Sequence, residues 1–321
     1  MKLGLCASLY LDRPLDQVFE IAGAMEIRGL EIYCGGGGKS LHIDVDELLG
    51  SDMALQKYRD QFKTQNMEIS ILNCVGNPVH PIKERAKIDR HGFEKTVLLC
   101  EKMGMDKVVV FSGTPGGSPE DRTPNWITCP WPEDFYDARK YQWEEVLIPY
   151  WTEAVRFAND HGVNKLAFEM HPGFCVYNPE TLLALRKRVG KAIGVNFDPS
   201  HLMWQGIDPS LAILELKDAV FSVHAKDVFI NHEYILRNGP NDAKHYSDAL
   251  NRAWTFRTVG YGHGEETWRG IVSALASIGY DGYLNIEHED LYMSRNEGVQ
   301  KASELLRSII IKEKPEGMWW A

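Results

Sequence analysis

Short apolar, β-branched runs alternate with longer amphipathic stretches of period 3.6 from one end of the chain to the other. The runs read as strands over Lys2–Leu9, Gly29–Cys34, Glu68–Val75, Lys107–Phe111, Lys165–Met170, Ile193–Phe197, Val220–His224 and Tyr283–Glu287. Between and after them the spacing predicts helices over 16–25, 53–65, 83–103, 138–160, 179–189, 209–216, 266–278 and 295–311. Gly104 is a C′ stop for the third helix, and Pro149 is expected to kink or divide the fourth. Two stretches break the rhythm. Residues 112–137 are rich in proline, with Trp126 and Trp131 among them, and read as an ordered lid; residues 228–264 read as a long polar loop. The Gly35–Gly38 run reads as a flexible loop, because the Walker spacing to a Lys-Ser/Thr pair is missing.

Eight strands alternating with eight helices predict a single (β/α)8 TIM barrel over residues 1–321, with the loops at about 112–137 and 228–264 inserted over the active-site face. A doubly wound open sheet is the competing topology. It lacks its Gly-x-Gly-x-x-Gly turn after the first strand.

Composition narrows the function more than the fold. With 35 Lys and Arg against 45 Asp and Glu the net charge is −10, and no basic run stands out, which argues against nucleic acid as the main partner. No apolar stretch is long enough for a membrane span, and Lys2-Leu3-Gly4-Leu5-Cys6 is too short an apolar run for a signal peptide. The six cysteines are scattered without a Cys-x-x-Cys pair. Reduced thiols in a cytoplasmic protein are the expectation.

Four strands turn polar only at their C-terminal ends, where barrels of this class carry their sites. These ends are Lys-Leu-Ala-Phe-Glu-Met-His at 165–171, Ile-Gly-Val-Asn-Phe-Asp-Pro-Ser-His at 193–201, Val-Phe-Ser-Val-His-Ala-Lys-Asp at 220–227 and Gly-Tyr-Leu-Asn-Ile-Glu-His-Glu at 282–289. Glu169, Asp198, His224 and Glu287 thereby stand at comparable depth on four successive strands. A single strand-end Glu or His serves as a cap or an ion-pair partner; four at one depth suit a divalent cation, because carboxylates that close need a compensating charge. Three carboxylates with one imidazole favour Mn²⁺, with Mg²⁺, Co²⁺ and Zn²⁺ also accommodated.

The runs Ala167-Phe168-Glu169-Met170-His171-Pro172, Asn196-Phe197-Asp198-Pro199-Ser200-His201, Val223-His224-Ala225-Lys226-Asp227 and Asn285-Ile286-Glu287-His288-Glu289 resemble the sugar isomerase/epimerase superfamily. These are the xylose-isomerase-like TIM barrels, also called AP endonuclease family 2, which include ketose 3-epimerases, inosose dehydratases and endonuclease IV. The likeness runs over essentially the whole chain, including the Pro-Asn-Trp and Cys-Pro-Trp-Pro pieces at 124–132. The resemblance implies that Glu169, Asp198, His224 and Glu287 are metal ligands, that His201 lies near the substrate, and that the two glutamates double as acid and base.

The chemistry fits these residues on its own terms. A cation chelated by a carbonyl and its neighbouring hydroxyl acidifies the C–H between them. Glu169 and Glu287 can address opposite faces of that carbon, giving epimerisation or an aldose–ketose shift, and a β leaving group would divert the same step to elimination. The expected activity is therefore an isomerase or epimerase acting on an unphosphorylated sugar or keto-sugar. The alternative is a lyase or dehydratase acting on an inosose, a 3-keto-glycoside or a C-glycoside. A non-catalytic sugar-binding subunit and an endonuclease IV-like nuclease rank below both.

Further candidates carry two readings each. His201 either binds a substrate oxygen or caps the Pro-Ser turn; His171 is similar; Lys226 either holds a substrate oxygen or pairs with Asp227. Trp126, with Tyr10, Trp131 and Trp204, either faces sugar C–H groups or packs. Arg237, His245, Arg252 and Arg257 either close over a sugar or face solvent, and His288 is expected to be structural. Met318-Trp319-Trp320 is expected to dock on the barrel or on a neighbouring subunit. An oligomer, with room for a second polypeptide, is the expected assembly.

Overall fold

Eight parallel strands close into a barrel: β1 (Lys2–Cys6), β2 (Gly29–Tyr33), β3 (Glu68–Asn73), β4 (Lys107–Val110), β5 (Lys165–Glu169), β6 (Ile193–Phe197), β7 (Val220–Ala225) and β8 (Tyr283–Ile286). Around the ring they run β1-β8-β7-β6-β5-β4-β3-β2, and β1 pairs with both β2 and β8. The computed structural model describes residues 1–36, 39–313, 316–318 and 320. Trp319 of the C-terminal motif and Gly37 and Gly38 of the glycine run lie outside them, while Met318 and Trp320 are exposed.

The strands are buried on both faces, which is why they read as unbroken apolar runs; all five residues of β6 are buried. Outward-facing positions such as Leu30, Ile32, Leu166, Phe168 and Ile286 pack with the helices in one continuous core. Inside the barrel the layers become polar towards the C-terminal mouth. Gly4, Asn285 and His224 share one row of the register, and Glu169, Asn196 and Ser222 share another. Gly4 is required there, since a Cβ would sit 2.0 Å from the Asn285 side-chain oxygen.

Several elements depart from the expected boundaries. The first strand stops at Cys6 and Ala7–Tyr10 tightens into a 3-10 turn. Lys83–Met103 ends at Gly104 with φ +70°, the left-handed cap expected of it. The Pro149 helix is longer than expected: α-helix over Glu133–Tyr141 and Ile148–Asp160 flanks a π-helical turn at Gln142–Leu147. Pro149 lacks the N–H that a continuous α-helix needs, and the widened turn directly before it accommodates that gap.

Residues 112–132 are irregular but tied down. The Gln142 side chain donates to the Pro115 and Asn125 carbonyls at 3.2 and 2.6 Å, and Trp151 Nε1 donates to the Ser112 carbonyl at 2.9 Å. The expected polar loop at 228–264 is instead largely structured. Asp227–Ile230 pairs antiparallel with Trp254–Arg257, and His232–Asn238 forms a helix between them. Its inner face is aromatic, with Trp254 stacked on Trp204 at 4.7 Å and Arg252 held over the Trp254 and Tyr246 rings. Among the described residues no helix is long and apolar enough to cross a membrane, and the six cysteines are unpaired.

Candidate active site

The four expected ligands meet at the C-terminal mouth of the barrel. Glu169 is the last residue of β5, Asp198 follows β6, His224 is the penultimate residue of β7, and Glu287 follows β8. One donor atom from each lies within 4.8 Å of the other three.

The chain grips each ligand from behind. Asp198 caps the short helix Pro199–Met203, its Oδ1 accepting from the Ser200 amide at 2.8 Å and hydroxyl at 2.7 Å. Glu287 Oε1 accepts from Lys226 Nζ at 3.1 Å, and Glu169 Oε2 from Asn196 at 3.3 Å. His224 Nε2 lies 2.9 Å from Glu31 Oε2 on β2. What remains points inward: Asp198 Oδ2, Glu287 Oε2 and His224 Nδ1 are buried and have no hydrogen-bond partner among the described residues. His224 Nδ1 stands 2.9 Å from Glu287 Oε2 and 3.4 Å from Glu169 Oε2. Buried polar atoms are ordinarily satisfied. Three orphans converging on one point are what a cation site looks like from the protein side.

Burial and mutual repulsion set the charges. Burial raises the Glu169 carboxyl to about 8, with His224 opposing the rise and Glu287 and Asp198 adding to it. Asp198 is raised by burial to about 6, against the pull of Lys226. Burial also acts to raise Glu287, but Lys226 and His224 outweigh it and hold this carboxyl below the usual range. Burial opposes a charge on His224, yet Cys6 and Glu31 overcome it and its pKa stands well above the ordinary value. Lys226, buried under Phe256 at 4.2 Å from the ring centroid, keeps its proton for the same reason: Glu287, Glu289 and Asp198 surround it.

The remaining candidates divide. His171 and His201 are beside the ligands, their rings 4.0 Å apart, and His201 Nε2 is 3.3 Å from both Glu169 Oε1 and Asp198 Oδ2. Lys226 pairs with Glu287 at 3.1 Å and Glu289 at 2.7 Å, not with its neighbour Asp227. Asp227 instead accepts four backbone amides, from Val228, Gly260, Gly262 and His263, and the Trp268 indole N–H. Trp126 is not at the ligand cluster; it lines a separate small cavity with Gln142 and Tyr177, whose ring it meets edge-on at 5.4 Å. Tyr10 is buried with its hydroxyl on Asn296 at 2.9 Å, Trp131 is exposed, and Trp204 packs on Trp254. Arg237 and His245 are exposed, and Arg257 is held by Asp290 at 3.0 Å. His288 is buried between Thr258 and the Met293 carbonyl.

Sequence reasoning passed over two residues. Glu31 is 2% exposed and accepts from Asn73 at 2.6 Å and Asn285 at 3.1 Å besides facing His224. Its signal was a lone charge between Leu30 and Ile32 inside a buried strand. Glu289 had no comparable signal, because alternation after Glu287 places it on the same side only if the strand continues.

A cavity of about 750 Å³ opens above the cluster. Its lining mixes the polar Glu169, His171, His224, Lys226, Glu287 and Glu289 with the apolar Leu11, Val75, Phe111, Phe256, Leu291 and Met293. Its two lining side chains that carry a fixed positive charge are already paired. Lys226 is held as described, and Arg295 is bidentate on Asp12 at 2.6 and 2.8 Å.

Residues 19–309 match the family described as xylose isomerase-like TIM barrel. The chain is 39% identical over 312 residues to the uncharacterized protein YfiH of Bacillus subtilis (strain 168), covering 97% of this chain and 99% of the relative. Among solved structures it is similar to AsbF of Bacillus anthracis, described as a probable 3-DHS dehydratase, with a TM-score of 0.65 at 13% identity over 96% of this chain and 99% of that one. It is also similar to the IolI protein solved with a zinc atom, with a TM-score of 0.63 at 17% identity over 97% and 98% of the two chains.

Proposed function

Because the chain belongs to the xylose isomerase-like TIM barrel family, we propose that it is a divalent-metal-dependent isomerase or epimerase of an unphosphorylated sugar or keto-sugar, acting by proton abstraction beside a carbonyl. One observation carries the reading. Glu169, Asp198, His224 and Glu287 bring together donor atoms within 4.8 Å, three of them buried and unpartnered. The donor set fits one cation, Mn²⁺ by our reading, with Mg²⁺, Co²⁺ and Zn²⁺ also accommodated. Such an ion would polarise the substrate carbonyl and stabilise the enediolate that follows.

The chain's own residues do the rest. Glu287, gripped by Lys226, is the base that takes the proton from one face of the carbon, and Glu169 is the group that returns one from the other. Two strands separate β5 from β8 in the ring, so the glutamates approach the carbon from different sides. Lys226 and His171 line the cavity where substrate oxygens would lie, and His201, proposed to act beside the substrate, packs against His171. The pairing of Lys226 and Arg295 supports an uncharged substrate over a phosphorylated one.

A second reading, elimination by a lyase or dehydratase, has its own support. A hexose of twelve heavy atoms fills on the order of 200 Å³ at protein packing density. The cavity, at about 750 Å³ with a partly apolar lining, has room for a substituent that would leave as the enediolate collapses.

The experiment follows Mn²⁺-loaded protein in D₂O by NMR with free ketoses, inososes and 3-keto-glycosides. Deuterium entering beside the carbonyl with a new epimer or aldose is the expected result. An unsaturated product with loss of water or aglycone selects elimination, and no exchange with any of them overturns both.

A further inference from the structure

Three large side chains that line the cavity are exposed and yet fixed in place. Leu11, Tyr246 and Leu291 are 37%, 54% and 62% exposed. They belong to the segments that follow β1, β7 and β8, three strands adjacent in the ring, so they crown one sector of the mouth. A buried group holds each segment. The Arg252 guanidinium lies 4.4 Å from the Tyr246 ring centroid and 4.7 Å from that of Trp254; it is buried and donates to the Lys244 and Trp254 carbonyls. Leu291 follows Asp290, whose buried carboxylate accepts from Arg257 Nε at 3.0 Å and from the Thr258 and Tyr292 amides at 2.8 Å each. Leu11 follows Tyr10, buried with its hydroxyl on Asn296 at 2.9 Å. An exposed apolar side chain adds nothing to the fold, and a free loop would turn it inwards. Anchors that keep three of them uncovered prepare a surface for something else.

That rim is continuous with the reacting end of the cavity. Lys226 Nζ lies 4.2 Å from the Phe256 ring centroid, and the Phe256 ring lies 6.0 Å from that of Tyr246 with their planes 16° apart. The cations beside this aromatic path, Arg252 and Arg295, are engaged by two rings and by Asp12, so it suits an apolar group better than an anionic one. We propose that Leu11, Tyr246 and Leu291 form a subsite for a planar apolar substituent of the substrate. The molecule this site takes is then amphiphilic, with a sugar or keto-sugar end at the four-donor cluster and an aromatic group stacked on Tyr246. The proposal rests on the reading of that cluster as the place where the sugar end reacts. It holds whether the substituent is kept, as in isomerisation, or leaves, as in elimination.

The test compares paired glycosides. Phenyl and methyl β-glycosides of glucose, galactose, mannose and xylose are titrated calorimetrically into full-length, Mn²⁺-loaded protein. For at least one sugar the phenyl compound is expected to bind about 10–30-fold tighter than its methyl partner, the gain from burying one ring face. The ratio should fall towards one in Tyr246→Ala, shrink in Leu291→Ser and persist in Tyr246→Phe, which keeps the ring. Equal affinities for every pair, or no binding of any phenyl glycoside, overturns the subsite. So does a ratio that survives in both Tyr246→Ala and Leu291→Ser. An oligomer that these two variants dissociate in sedimentation equilibrium, with the ratio unchanged, assigns the rim to a second copy of the chain and overturns the proposal as well. Deuterium exchange in D₂O keeps this result apart from the reading beneath it. Phenyl selectivity that depends on Tyr246, without exchange into any sugar, supports the subsite and sinks the proposed reaction. Exchange into free and phenyl-substituted sugars with equal kcat/KM supports the reaction and overturns the subsite.

Discussion

At the scale of single residues, each inward-facing donor depends on a partner behind it. Glu287 is the clearest test, because its one oxygen is held by Lys226 while the other is unpartnered. Glu287→Gln keeps the shape and the Lys226 contact but loses the base, so turnover is expected to fall about 10²–10⁴-fold with the far-ultraviolet spectrum unchanged. Undiminished exchange in that variant would sink the mechanism. Glu31 acts one step further back. By accepting from His224 Nε2 it leaves Nδ1 to face the other ligands, so Glu31→Gln should weaken cation affinity by about 10–100-fold, measured by competition with a fluorescent chelator. A variant that binds as tightly as wild type would make Glu31 a packing residue only. The convergence of Glu169, Asp198, His224 and Glu287 was legible in the sequence because each is a polar residue at or beside the end of an apolar strand. Glu31 was not, because its strand continues past it, and a single polar position inside an apolar run gives no partner to look for.

At the scale of elements, legibility followed periodicity. The eight barrel strands and the long helices were readable because burial imposes a repeat on them, whereas the Asp227–Ile230 and Trp254–Arg257 pair was not. Its two short strands are joined by residues 231–253, too long a connection for turn chemistry to announce, and its partners are set by contacts distant in sequence. What fastens this hairpin to the barrel is Asp227, fully buried, whose carboxylate gathers the amides of Val228, Gly260, Gly262 and His263. Gly262 is small of necessity, since a Cβ would stand 2.3 Å from the Val228 carbonyl oxygen. Asp227→Asn removes the charge and turns one acceptor into a donor facing those amides. The expected loss is about 2–5 kcal/mol of stability, seen in urea denaturation, with new proteolytic cleavage within 228–264. A variant melting within about 1 kcal/mol of wild type would show that the loop is held by its aromatic face instead.

At the scale of the whole molecule, the cluster ties stability to pH, and the cation proposed for it would tie stability to metal as well. Without a cation, Glu169 carries a folded pKa of about 8 against an ordinary value of 4.5, so the native state holds a proton that the unfolded chain releases across that window. Native-state protonation of this kind stabilises at low pH and is lost as pH rises through the folded value, so this group makes the cation-free protein less stable at pH 8 than at pH 6. Asp198, raised to about 6 from 3.8, works in the same direction at lower pH. Glu287, held low, contributes in the opposite sense, but its change is complete at pH values below this range. A bound cation reverses the trend by taking the place of those protons. Its affinity then rises with pH, by about 1.4 kcal/mol per unit for each proton displaced, and saturation at a hundred times Kd adds about 2.7 kcal/mol to stability. The measurement is a set of thermal melts from pH 6 to 8 with Mn²⁺ and with chelator. The gap between the two curves should widen as pH rises, with activity lost to chelator and restored by Mn²⁺ or Co²⁺. A gap that stays constant would mean that the ion displaces no proton from Glu169 or His224, and a gap of zero would mean that the four side chains hold no ion at all.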